Sequence, residues 1–133
     1  MKIKIKKRES KYWNLIMKFF PNIEMDKMWL TFGRTIWTPG SISNDLLCHE
    51  TVHTLQQKNF FFAIIWWIRY IIDSKFRYSQ ELPAYKAQYE YLKKHVFKDR
   101  NQIARLRHSV ASMMSGPHYN HMVAYDEVYK ALE

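Results

Sequence analysis

The spacing of apolar residues along the 133-residue chain predicts a mostly helical protein. In residues 11–20 apolar side chains recur every three or four positions, and proline, glycine and candidate capping residues delimit further runs of the same kind. We predict helices over residues 11–20, 44–58, 60–72, 79–97, 99–114 and 121–132.

One segment, residues 28–38, has the composition of a β-strand. Its sequence MWLTFGRTIWT is rich in β-branched and aromatic residues and is followed by a Pro-Gly turn signal. Gly33 and Arg34 at its centre fit either a two-residue hairpin turn with glycine first or a bulge in one longer strand, and the pattern leaves both open. The predicted fold class is therefore α+β, predominantly α-helical, with a short β-strand or hairpin beside the helix that follows.

Composition indicates one compact domain. Hydrophobic residues make up 47% of the chain against only 3 glycines and 4 prolines, which argues against disorder. We predict a basic N-terminal arm over residues 1–10 and a single domain over residues 11–133. The one cysteine, Cys48, excludes an internal disulfide, and the opening MKIKIKKRES lacks the apolar run of a secretory signal. The predicted location is the cytoplasm.

Five of the 21 basic residues lie in the segment KIKIKKR near the N-terminus, and the chain has a net charge of +9. Such an arm could contact nucleic acid or an anionic surface, but a short basic terminus is more typical of a solvated tail. No zinc finger, P-loop or aromatic RNA-binding motif accompanies it. Nucleic-acid binding is therefore a disfavoured alternative.

The longest apolar run, FFAIIWWIRYII at residues 61–72, is well short of the roughly 20 residues that span a bilayer. We predict that it forms a buried helix. The alternative is peripheral contact with a membrane, since Trp66, Trp67, Arg69 and Tyr70 are residue types that favour the headgroup level.

The segment LLCHETVHTLQQ, residues 46–57, contains a candidate metal site. On an α-helix His49 and His53 lie one turn apart on the same face, so both imidazoles can bind one ion. Glu50 lies at the edge of that face, where it can hold a water molecule and act as general base. A catalytic zinc takes imidazole nitrogens at about 2.0–2.1 Å, keeps an open fourth position and lowers the pKa of its water to about 7.

The other face of this helix carries Cys48, Val52 and Leu55 at positions i, i+4 and i+7. We predict that these three side chains pack into the core and that the cysteine is not a metal ligand.

Glu81 is the best candidate for a third metal ligand. The glycine and third histidine that follow the paired histidines of a metzincin are absent after His53. Tyr85 lies one turn after Glu81 and could donate a hydrogen bond to a ligand or to a substrate oxyanion. Alternatively, it belongs to a core stripe of the same helix.

HETVH followed by Glu81 in an E-x-x-A-Y context resembles the zincin metallopeptidases of the gluzincin type, whose third ligand is a glutamate on a later helix. The order WLTFGRTIWTP, HETVHTLQQ, FRYSQELPAY also resembles small zincin-like proteins encoded by bacteriophages, over roughly residues 11–92. Two positions depart from the gluzincin pattern. Many gluzincins have aspartate where Tyr85 stands, and Pro83 lies in the first turn of the predicted ligand helix, where proline is tolerated.

The resemblance implies a minimal zincin-like domain that binds one zinc ion through His49, His53 and Glu81. It implies a metallopeptidase that hydrolyses an amide bond of a peptide or protein substrate through a metal-activated water, with Glu50 as the catalytic base. The catalytic role predicted for Tyr85 comes from its position one turn after Glu81 and not from the resemblance. The resemblance also implies that residues 31–37 include a strand that presents free backbone to an extended substrate.

Two other classes of function compete with a peptidase. One is a binding protein in which zinc stabilises the fold and catalyses nothing. The other is a basic protein that associates with nucleic acid or membrane through the KIKIKKR arm.

The remaining histidines are weaker candidates for a site. His95 and His108 lie among lysines and arginines, which predicts that both are exposed to solvent. His118, Tyr119 and His121 follow a Gly-Pro break, and a side chain from this loop could stabilise a tetrahedral intermediate.

Overall fold

The computed structural model of the protein describes residues 2–7, 14–16, 18–22 and 28–133. Its described part is mostly helical with one small sheet, in agreement with the predicted fold class. The strands are β1 (Lys4–Lys7), β2 (Leu30–Phe32) and β3 (Thr35–Thr38). The helices are α1 (Asn44–Gln57), α2 (Phe60–Ile72), α3 (Ser74–His95), α4 (Arg100–Ser115) and α5 (Tyr125–Ala131), with a 3₁₀ turn at Pro117–Tyr119.

The sheet has the strand order β1-β3-β2, with β1 parallel and β2 antiparallel to β3. Gly33 and Arg34 join β2 to β3 as a two-residue hairpin, which decides between the two alternatives left open by the sequence. Gly33 has a φ of 62°, as the first position of a type II′ turn requires. A Cβ at this position would lie 3.2 Å from backbone atoms of Asn59 and Phe60, so glycine is also required by the close approach of α2.

Within the predicted basic arm of residues 1–10, Lys4–Lys7 form strand β1, which was not predicted because residues 28–38 were the only predicted strand region. Its side chains are all exposed, so the strand is held by main-chain pairing. The Lys4 N–H donates to the carbonyl of Arg34 at 2.9 Å. The alternation of lysine and isoleucine is a strand period, which the concentration of charge concealed.

Helices α1, α2 and α4 lie within two residues of their predicted bounds. Helix α3 begins five residues earlier than predicted, because the Asp73 carboxylate caps it by accepting the N–H groups of Lys75 and Phe76, each at 3.0 Å. Pro83 therefore lies inside the helix and not in its first turn. There it leaves the carbonyl one turn earlier without its helical hydrogen bond.

The ends of the chain differ more from the prediction. Helix α5 begins at Tyr125 and not at residue 121, because Asn120 and His121 have left-handed φ angles of 54° and 52°. In the predicted first helix, residues 14–16 are helical and residues 18–20 are not. The rest of that span lies outside the described residues.

The largest apolar core lies among α3, α4 and α5, away from the sheet. Its buried members are Tyr89, Val110, Ala111, Met114, Val128 and Leu132. Helix α1 packs mainly against α3 on one side and against β2 on the other. These contacts determine which face of α1 is buried.

Helix α1 buries its polar face. Its buried residues are His49, Glu50, His53, Thr54 and Gln57. Leu55 is 59% exposed and Cys48 and Val52 are only half-buried, so the prediction that these three pack into the core is wrong. The reason is that the polar face has partners. The Gln57 side chain accepts the Gly33 N–H at 2.7 Å and donates to the Thr31 carbonyl at 3.1 Å.

The prediction that α2 is a buried helix is also wrong. Only Ala63, Trp66 and Tyr70 are buried, and most of its phenylalanines and isoleucines are exposed. In the described part of the chain, none of the helices combines the length and the hydropathy that a membrane crossing needs.

Candidate metal site

Helices α1 and α3 bring the three predicted ligands together. The Nε2 atoms of His49 and His53 are 3.2 Å apart. The Oε2 atom of Glu81 lies 3.3 Å from the first and 3.5 Å from the second. All three side chains are buried. This group could hold a metal ion.

The spacing of the three ligand atoms fits an ion of the size of zinc. Ligands at 2.0–2.1 Å in a tetrahedron are separated by about 3.3–3.4 Å. The distances of 3.2, 3.3 and 3.5 Å are close to this value. Two imidazoles and one carboxylate also form a donor set that zinc accepts.

The ligands carry opposite charges when no metal is bound. Burial opposes a charge on His53, but the neighbouring Glu81 carboxylate outweighs burial and raises the pKa of His53 to about 9. Burial likewise opposes the charge of Glu81, but the two imidazoles hold the pKa of its carboxyl well below its usual range. At neutral pH His53 is therefore an imidazolium paired with a carboxylate, and a metal ion has to displace its proton.

Gln56 orients the second histidine. Its Oε1 atom lies 2.8 Å from Nδ1 of His53, and its Nε2 donates to the Gln80 carbonyl at 2.9 Å, which fixes the amide with its oxygen toward the imidazole. Nδ1 therefore donates, and Nε2 faces Glu81 and the metal position. Gln56 was not identified from the sequence, although its position three residues after a ligand was a signal for it.

Replacing this amide is expected to weaken metal binding. Gln56→Leu removes the acceptor for Nδ1 of His53, and loss of such a partner typically lowers metal affinity by about 10–100-fold. Competition with a chromophoric chelator measures the change. Gln102→Leu, at an exposed position of α4, is the matched control. Equal affinities of the two variants would show that Gln56 has no part in the site.

Two tyrosine hydroxyls lie against the Glu81 carboxylate, and a third is hydrogen-bonded to one of them. The Tyr70 hydroxyl donates to Oε1, and the Tyr119 hydroxyl lies 3.4 Å from Oε2. The Tyr85 hydroxyl is 2.8 Å from that of Tyr119. Burial raises the pKa of all three phenols, and the charge of Glu81 raises them further. The phenols are therefore neutral at physiological pH, and Tyr70 leaves Oε2 of Glu81 as the oxygen that faces the histidines.

Tyr85 contacts the site from the side. Its ring lies edge-on to the His49 ring, with 4.5 Å between centroids, and its hydroxyl is bonded to Tyr119 and not to a ligand. Tyr119 reaches the site from the 3₁₀ turn, the loop that sequence analysis singled out. Tyr70 was not identified, because its helix was interpreted as an apolar element. The buried Nδ1 of His49 has no hydrogen-bond partner among the described residues.

The other histidines lie away from the three ligands. His95 and His108 are exposed, as predicted. His121 is exposed, with Nδ1 3.0 Å from the Ser115 carbonyl. His118 lines a separate surface depression next to α4.

Glu50 is positioned by the sheet. It is buried, and its Oε2 atom accepts a hydrogen bond of 2.7 Å from the Thr31 hydroxyl on β2. No described residue hydrogen-bonds the other carboxylate oxygen. Thr31 was not identified from the sequence, because its role depends on how the sheet packs against α1.

A cavity connects Glu50 with the three ligands. Its volume is about 60 Å³, against the roughly 10–15 Å³ that one water molecule needs. The lining also includes a set of mostly aromatic, largely apolar side chains: Phe20, Met28, Trp29, Leu30, Trp66, Trp67 and Tyr70. The cavity therefore has room for water beside the ligands and an apolar side.

The prediction that residues 31–37 present free backbone to a substrate is wrong in two respects. Strand β3 lies between β1 and β2, so neither of its edges is free. On the edge strand β2, the Thr31 carbonyl already accepts hydrogen bonds from Gln57 and from the Trp67 indole, each at 3.1 Å. Side chains of α1 and α2 thus occupy the edge on which an added strand would pair.

The structure thus places His49, His53 and Glu81 in one cluster, Glu50 on the same cavity, and Tyr85 against the first histidine. Compared with protein-family models, curated proteins and solved structures, the chain matches none. Its function therefore has to be inferred from the chemistry of this site.

Proposed function

We propose that the protein is a zinc-dependent metallopeptidase of the gluzincin type. The observation that carries the proposal is the position of the Glu81 carboxylate, with Oε2 within 3.5 Å of both imidazole Nε2 atoms. A glutamate next to the first ligand, Glu50, lines the same cavity. Two imidazoles, one carboxylate and a nearby free carboxylate are the groups that zinc-dependent amide hydrolysis requires.

Bound zinc supplies Lewis acidity, which polarises a substrate carbonyl and makes water acidic enough to lose a proton near neutral pH. Glu50 accepts that proton through the oxygen that Thr31 leaves free, and passes it to the departing amide nitrogen. The Thr31 hydroxyl keeps the carboxylate in one orientation. Gln56 and Tyr70 do the same for His53 and Glu81.

Tyr85 remains the proposed donor to the substrate oxyanion. Its phenol is neutral, because burial raises its pKa, so it can donate a hydrogen bond but carries no charge. In the structure its hydroxyl is shared with that of Tyr119. A donor role requires that this bond be exchanged for one to the substrate.

The side chains that line the cavity favour a substrate with an apolar side chain. Among the lining residues that the structure describes, none besides Glu50 and the three ligands carries a charge. We therefore propose a peptide substrate with an apolar residue next to the scissile bond.

One observation favours a second candidate function, a zinc-stabilised binding protein without activity. The three ligands and Glu50 are each at most 6% exposed. Structural zinc sites are closed, whereas catalytic sites keep one position open to water and substrate.

Removal and return of the metal tests both candidates. A peptidase is expected to bind about one zinc per chain, to lose hydrolysis of a quenched fluorescent peptide library on chelation, and to regain it when zinc is returned. A purely structural site would instead show a lower melting temperature on chelation and no hydrolysis in either state. Less than about half an equivalent of zinc, unchanged by His49→Ala, would contradict both.

A further inference from the structure

The outer face of α2 is an exposed apolar patch. Its members are Phe60, Phe61, Phe62, Ile64, Ile65, Ile68 and Ile72, which are between 41% and 76% exposed. At 100° per residue, six of the seven fall within an arc of roughly 140°. An aromatic side chain has roughly 150–250 Å² of surface, so the patch presents several hundred Å². Monomeric proteins rarely expose a larger apolar surface without an interaction to cover it.

Basic groups border this patch on two sides. At its N-terminal end the Arg34 guanidinium donates to the Lys58 carbonyl at 2.8 Å, and strand β1 brings Lys4 beside Arg34. All three are exposed. Farther along the helix Arg69 is exposed at the edge of the arc and stacks on Phe76 at 4.1 Å. Two of these cations, Lys58 and Arg69, line one shallow groove with Phe62 and Ile65.

Acidic groups are missing from the same stretch of chain. Residues 51–72 contain no aspartate or glutamate. The next acidic residue, Asp73, is engaged in capping α3. A single convex helix with an apolar arc and cationic borders matches a flat anionic surface better than it matches the groove of a protein.

We propose that α2 docks the protein on anionic lipid bilayers. The apolar patch enters the boundary between headgroups and acyl chains, and Lys4, Arg34, Lys58 and Arg69 pair with lipid phosphates. Helix α2 has 13 residues and lies along the surface, since about 20 are needed to cross. Its opposite face, with Trp66 and Tyr70, is buried toward the metal site, so the indole and phenol that favour headgroups are not the contact. The proposal does not depend on hydrolysis at that site.

Vesicle flotation of the full-length protein tests the docking surface. Binding is expected to phosphatidylcholine vesicles that contain about 30% phosphatidylserine, and to be weaker on phosphatidylcholine alone. Phe61→Ser with Ile65→Ser is expected to lower partitioning at least tenfold, since two large apolar contacts are lost. Lys58→Glu with Arg69→Glu is expected to lower it by about tenfold or more, and added salt should have a similar effect.

The controls are exposed residues elsewhere: Val96→Ser with Met113→Ser for the apolar pair and Lys94→Glu with Arg105→Glu for the charges. Circular dichroism shows whether each variant is folded. Equal partitioning of patch and control variants would overturn the proposal, as would failure of the wild type to bind the anionic vesicles. So would a lipid-free dimer in sedimentation analysis that the Phe61→Ser, Ile65→Ser variant abolishes, because the patch would then be the contact between two copies.

Discussion

Glu50→Gln is expected to abolish peptide hydrolysis while zinc still binds. The amide is nearly isosteric with the carboxylate and can still accept the Thr31 hydrogen bond, but it cannot take a proton from water. Loss of a general base typically costs 10²–10⁴-fold in rate, so kcat is expected to fall by about that factor while zinc content stays the same. Steady-state kinetics on a peptide found by library screening, with zinc content measured in parallel, gives both values.

Glu90→Gln is the matched control, because Glu90 is an exposed glutamate on α3. It should leave kcat and zinc content at the wild-type values. If Glu50→Gln kept full activity, Glu50 would not be the base, and the peptidase mechanism would fail at its central step. If the wild type had no activity while zinc still stabilised the fold, the structural role of zinc would be favoured.

Glu81→Gln is expected to remove most of the metal affinity. It replaces the only anionic ligand by a neutral amide at the point where Oε2 approaches both imidazoles. Loss of a group that merely orients a ligand costs about 10–100-fold, so the loss of a ligand is expected to exceed 100-fold. Competition titration with a chelator measures the affinity, and Glu127→Gln, an exposed glutamate on α5, is the control. Unchanged affinity would remove Glu81 from the metal site.

The same variant should change how the metal-free protein responds to pH. The raised pKa of His53 stabilises the fold fully below 6.5, and this contribution is lost as pH rises through about 9. The lowered pKa of Glu81 stabilises it above 4.5, and that contribution is lost as pH falls further. The difference in free energy of unfolding between the wild type and Glu81→Gln should therefore be largest between about pH 4.5 and 6.5. Denaturant titrations across pH provide the comparison.

The parts of this protein that follow a local rule could be predicted from the sequence. The four-residue spacing of His49 and His53 forces both imidazoles onto one face, and the apolar period set the bounds of α1, α2 and α4 to within two residues. Glu81 could be chosen because Ala84 and Tyr85 follow it at i+3 and i+4, in an E-x-x-A-Y context. Capping by Asp73 was also a local signal, and its omission explains the misplaced start of α3.

The features that could not be predicted from the sequence depend on how its helices and strands pack against one another. An apolar helix such as α2 is ordinarily interpreted as core, but α1 and α3, which pack against it, leave its outer face exposed. Thr31 and Tyr70 were missed because each acts through a hydrogen bond to a side chain of another element, and only the packing of β2 on α1 and of α2 on α3 brings donor and acceptor together. Gln56 was missed although it lies three residues after His53 on the same helix, which is a local signal. Whether the Thr31 carbonyl is free to accept a hydrogen bond from a substrate likewise depends on α1 and α2, which follow it far along the chain.

The spacing of the three ligand atoms has a consequence for how an ion would be taken up. The proton on His53 already supplies a positive charge that holds Glu81 close to both imidazoles. A metal ion would therefore replace the His53 proton at a site whose three ligand side chains are already in place, and no loop would have to fold around the ion. Little conformational entropy would be lost on binding, and the affinity for the ion would rise with pH because the His53 proton has to leave.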